Sequence, residues 1–92
     1  MRITSVVNAE DCFDGGGSVR YWFDEPWNRS DIQRLASLGR LDYFPDFPRP
    51  FFRVVARNGM QLKGVEGAAS CLIVFTKGGR EAAQQEFEQL FR

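Results

Sequence analysis

Thr76-Lys77-Gly78-Gly79-Arg80 is the stretch best suited to hold a small anion, because it joins an apolar run to a helical pattern. Free amides at a helix N-terminus, with two cations beside them, attract phosphate or carboxylate. Lys77, Gly78, Gly79 and Arg80 are therefore the candidate ligand-binding residues. The spacing departs from the P-loop, since no Gly-Lys-Ser/Thr follows, and from the dinucleotide fingerprint. A close-packed strand-to-helix turn would use the same glycines.

The segment Asn8 to Gly17 gathers Glu10, Asp11, Asp14 and Cys12 ahead of consecutive glycines. Calcium loops space their oxygens at alternate positions around a turn, and this stretch does not. A solvated hairpin loop is the simpler reading, and no metal site is assigned. The chain has no histidine, which removes the commonest general base, metal ligand and activator of a Ser or Cys nucleophile. Cys12 and Cys71 form no C-x-x-C motif; Cys71 is expected to fill core volume and Cys12 to be exposed. Neighbouring carboxylates such as Asp24 and Glu25, or Asp11 and Asp14, sit where hydration is the rule. No catalytic residue and no cofactor is assigned.

Aromatic residues carry the remaining signal. Tyr21-Trp22-Phe23, Trp27 and the stretch Tyr43 to Phe51 crowd rings beside arginines, a combination enriched in the centres of protein interfaces. With 13 aromatics in 92 residues, some rings are expected at the surface. Trp22, Trp27, Tyr43, Phe44 and Phe47 are the candidate interface residues. The competing reading folds the Tyr43 to Phe51 rings over the end of a small core as a lid.

Twelve basic and twelve acidic residues give zero formal charge, and the two signs are interleaved along the chain. The long-range field that gathers nucleic acid or anionic lipid is then missing unless the charges are segregated onto one basic face. An RNP-like pattern of glycine and aromatics is absent too, so nucleic acid is not expected. No apolar run approaches the ~18 residues of a spanning helix, and the start Met1-Arg2-Ile3-Thr4 does not read as a secretory signal. The expectation is a cytoplasmic protein with reduced thiols and no membrane partner.

The elements that must position these groups follow from periodicity. Arg2 to Val7 reads as a β-branched strand, and Val19 to Phe23 alternates with Val19, Tyr21 and Phe23 on one face and Arg20 and Trp22 on the other. Ser30 with Gln33 fits a capping box opening a helix from Asp31 to Leu38, with Gly39 as a left-handed C-cap. Leu41 to Pro50 holds three prolines and is expected to be an extended crossover. Phe51 to Arg57 and Met60 to Val65 pair through an Asn58-Gly59 type I′ hairpin. Cys71 to Phe75, uninterruptedly apolar, is of the kind buried on both faces or near the sheet centre and is expected to be the central strand. A helix from Arg80 to Phe91 follows, with Ala83, Phe87, Leu90 and Phe91 on its core side.

The order ββαββ(β)α predicts one α+β domain over residues 1–92. It is a two-layer sandwich with a four- or five-stranded antiparallel sheet and both helices on one face, a permuted ferredoxin-like architecture. Fold alone assigns no function. The expected role is a non-catalytic interaction or regulatory module that binds a protein partner or forms a homodimer. A small-anion or metabolite binder at Gly78-Gly79 and an accessory subunit of an enzyme are the alternatives.

Overall fold

The computed structural model describes residues 1–11, 17–76 and 79–91, with the side chains of residues 10 and 11 left undescribed. Alternating and β-branched segments form six strands: β1 (Ile3–Asp11), β2 (Gly17–Phe23), β3 (Gly39–Phe44), β4 (Phe51–Ala56), β5 (Gln61–Val65) and β6 (Ser70–Phe75). Helix α1 (Arg29–Arg34), continued by a 3-10 turn (Leu35–Ser37), separates β2 from β3, and helix α2 (Arg80–Gln89) follows β6. All strands join one antiparallel sheet in the order β1-β2-β6-β5-β4-β3. The sheet therefore has six strands, not four or five.

Topology departs further from the expectation. The α1 connection carries the chain from β2 to the opposite edge of the sheet, and β3 to β6 then return as a meander until β6 docks on β2. The sheet has one strand more than the expectation allowed, and this order does not establish a ferredoxin-like permutation. The cause is β3. Pro45, Pro48 and Pro50 exclude regular pairing only after Phe44, which leaves Gly39 to Phe44 free to pair with β4 as an edge strand.

The four inner strands, β2, β6, β5 and β4, each bury one face. Val19, Tyr21 and Phe23 of β2, Phe52, Val54 and Ala56 of β4, Leu62 of β5, and Cys71, Ile73 and Phe75 of β6 line the covered side. Ile32 and Leu35 from the first helical segment and Ala83, Phe87 and Phe91 from the second close the same core. Phe87 meets Tyr21 with ring centroids 4.9 Å apart. On β6 the intervening Leu72 and Val74 face the uncovered side, and Val74 is exposed, so this central strand is buried on one face only.

Local corrections have local causes. Asn28, not Ser30, caps α1: its side chain accepts a hydrogen bond from the Asp31 N–H at 2.8 Å. Gly39 lies in β3 and does not adopt a positive φ; a Cβ there would stand 2.4 Å from the Val55 carbonyl oxygen, so glycine permits the close approach of β4. The β4–β5 hairpin places only Gly59 at positive φ, with the Gly59 N–H donating to Ala56 C=O and the Ala56 N–H to Met60 C=O. That is a three-residue connection with a glycine bulge, in place of the two-residue type I′ turn.

Candidate functional site

Because the pleat sends alternate residues to opposite faces, the residues between the core positions point to the face that the helices do not cover, most of them at least partly exposed and Ser18 buried. Register makes it a set of rows. One row runs Arg20, Leu72, Lys63, Arg53, Asp42 across five strands; the next runs Ser18, Val74, Gln61, Val55, Arg40. Trp22 sits opposite Ser70 on one side, and Phe51 pairs with Phe44 on the other. Charges interleaved in sequence are thus segregated by parity. Among the described side chains, Arg20, Arg40, Arg53 and Lys63 share the open face with one strand carboxylate, Asp42.

A shallow concavity of about 670 Å³ opens on this face, lined by Arg20, Arg49, Arg53 and Lys63 together with Phe51 and Ser70. Among the described residues, no carboxylate lines it. Arg20 donates to Ser70 Oγ at 3.2 Å. Arg53 donates to Asp42 at 3.1 Å and Arg40 lies 3.3 Å from the same carboxylate, and these two guanidiniums hold the Asp42 carboxyl below its usual range. Among the described residues, Lys63 and Arg49 have no carboxylate partner, and Lys63 lies directly across from Arg53. Like charges placed opposite one another across strands disfavour the pairing, so fold stability does not explain this choice.

Rings border the concavity. Phe51 stacks on Phe44 at 4.6 Å and meets Phe47 at 5.2 Å, so the turn after β3 extends the apolar margin. Phe47 is 53% exposed and Trp22, at the other margin, 43%. Tyr43 faces the covered side, where its hydroxyl donates to the Glu66 carboxylate and Arg29 lies 5.7 Å from the ring centroid.

Trp27 is a correction. Grouped with the surface rings from sequence, it is 1% exposed and packs on Phe23 and Phe52 at 5.0 Å each. Its indole N–H donates to Ser70 C=O at 3.1 Å, its backbone N–H to Ala68 C=O, and its carbonyl accepts from Gly67. These bonds fix the β5–β6 turn at the rim of the concavity. No periodic pattern surrounds Trp27, so its burial is decided by that turn rather than by its own segment.

Of the candidate anion-binding residues, Lys77 and Gly78 lie outside the described residues, as does Cys12. Gly79 is the N-cap of α2, and Arg80 donates to Asn8 Oδ1 and lies 5.7 Å from the Phe75 ring centroid. Among the described residues no group of three Cys, Asp or Glu side chains is placed to hold a metal ion. Nor is any described helix long and apolar enough to cross a membrane.

Cys71 is buried beneath the Arg20 strand pair, and burial pushes its thiol well above the ordinary value, outweighing the pull of the Arg20 guanidinium. Thiolate is the reactive form. Iodoacetamide at pH 8 should therefore leave Cys71 unmodified in the native protein and alkylate it in urea; native-state labelling of the Cys71 peptide, read by mass spectrometry, would contradict the burial.

Searches of protein-family models, curated proteins and solved structures found no match to this chain.

Proposed function

We propose that the chain is a non-catalytic binding module whose open sheet face receives a protein partner. One observation carries this reading: one face of the sheet is left without a covering layer, and exposed rings stand beside cations on it. Trp22, Phe44 and Phe47 stand around Arg20, Arg53 and Lys63. Large aromatics beside arginine are the groups that dominate interface energetics. Tyr43 and Trp27 support the face from beneath and are not part of it.

Trp22→Ala and Phe47→Ala test the reading because both side chains are exposed and their truncation costs the fold little. A partner captured by the native chain should be lost by the double variant, with thermal unfolding unchanged within about 0.5 kcal/mol. Retention of the same partner at the same affinity would sink the assignment of the open face.

A further inference from the structure

Resting on that reading, we propose that the segment received by the open face is acidic, its carboxylates seated in the concavity among Arg20, Arg49, Arg53 and Lys63. Three features of the site converge. Among the described residues, four cations line the concavity and no carboxylate does. Lys63 stands directly opposite Arg53, an arrangement that a bound anion relieves and the free protein does not need. Strand spacing of about 4.8 Å puts Lys63 next to Arg53 and about 10 Å from Arg20, with Leu72 between, so two carboxylates and one apolar contact span the row.

Its margins set the kind of polyanion. The Glu66 carboxylate is held on the covered side by Tyr43, whereas Asp42 lies at the end of the cationic row, tied to Arg40 and Arg53. A continuous phosphate backbone leaving the concavity along the row would run onto Asp42, and the central strands β5 and β6 present no ring for base stacking. A short extended peptide ends before that. Trp22 and Phe51 flank the cations as apolar shoulders for residues beside the carboxylates, the Arg–aromatic pairing typical of protein recognition.

A fluorescein-labelled nonapeptide alternating Glu with Leu tests the proposal, read by anisotropy against the full chain in 50 mM salt. A Lys-for-Glu peptide and a twelve-residue oligothymidylate serve as comparisons. The acidic peptide should bind, the basic one should not, and binding should weaken severalfold at 200 mM salt as the Debye length shortens. Arg20→Glu with Lys63→Glu should reduce affinity more than about tenfold, the scale of about 1.4 kcal/mol. The neutral pair Arg20→Gln with Lys63→Gln, which adds no repulsion, should give an intermediate loss and guards against misfolding of the reversed variant. Absence of acidic-peptide binding, binding indifferent to both double variants, or tighter binding of the oligothymidylate each overturns the proposal. Should the peptide fail while Trp22-dependent partner capture persists, the acidic class falls and the open-face assignment stands; should both fail, both fall.

Discussion

Trp27→Ala should lower stability by about 3–5 kcal/mol, a large share of the roughly 5–15 kcal/mol that a domain of this kind possesses. The indole fills the centre of the core against Phe23, Phe52 and Phe91, with centroids 5.0 to 5.8 Å away. Truncation also removes the N–H bonded to the Ser70 carbonyl. Trp27→Phe separates the two contributions: it keeps most of the ring contact and loses the hydrogen bond, at an expected cost of about 1–2 kcal/mol. Urea unfolding followed by circular dichroism measures both. A loss below about 1 kcal/mol for Trp27→Ala would place this ring outside the core. Because Trp27 holds the β5–β6 turn beside Ser70, Trp27→Phe should also weaken whatever binds the concavity, although its side chain never reaches that surface.

Gly64→Ala should cost about 2–3 kcal/mol for the addition of a single methyl group. A Cβ at Gly64 would stand 2.3 Å from Cζ of Phe52, and the Phe52 ring cannot swing aside because Trp27 packs against it. Gly39→Ala meets backbone instead, at 2.4 Å from the Val55 oxygen and 2.8 Å from Ala56 Cα, and should prise β3 from β4. Gly67→Ala is the comparison: nothing lies within 4 Å of its Cβ position, and only its φ of +91° opposes a side chain, at a cost of about 1 kcal/mol. Denaturant midpoints for the three variants should rank Gly67→Ala least damaging. A neutral Gly64→Ala would show that the Phe52 ring has room that the packing denies it.

Where two-residue alternation was strong, reading was direct. Val19, Tyr21 and Phe23 against Arg20 and Trp22, and Phe52, Val54 and Ala56 against Arg53 and Val55, lie on the faces their parity assigns. Ala83 and Phe87 bury the helical stripe expected of them. Proline misled at Leu41 to Pro50, since its effect begins only at the residue before it, and β3 ends at Phe44. At Asn28 and Ser30 two residues of equal capping chemistry competed, and the chain entering from buried Trp27 decided between them.

The cationic face was present in the strand parities all along, yet total charge concealed it. Arg20 and Arg53 alternate with buried neighbours and Lys63 follows buried Leu62, so local periodicity already sends them to one side of the sheet. Summing charge over the chain discards that side-by-side information, and zero net charge then looks like an absence of field. Which strands lie next to one another was not legible, because antiparallel pairing depends on distant segments. Only the docking of β6 on β2 brings Arg20 into the same row as Lys63 and Arg53.

Sequence by itself determined the periodicities: which side chains leave a strand together, which helical stripe is apolar, where glycine and proline punctuate the chain. These are short-range consequences of backbone geometry and hydrophobic spacing. Tertiary structure alone decided the strand order, the burial of Trp27 and the assembly of a basic hollow from four separate segments. Contacts between residues 20 and 63, or 27 and 70, carry no local signature, since they form only when burying a shared core outweighs the entropy of closing the chain between them.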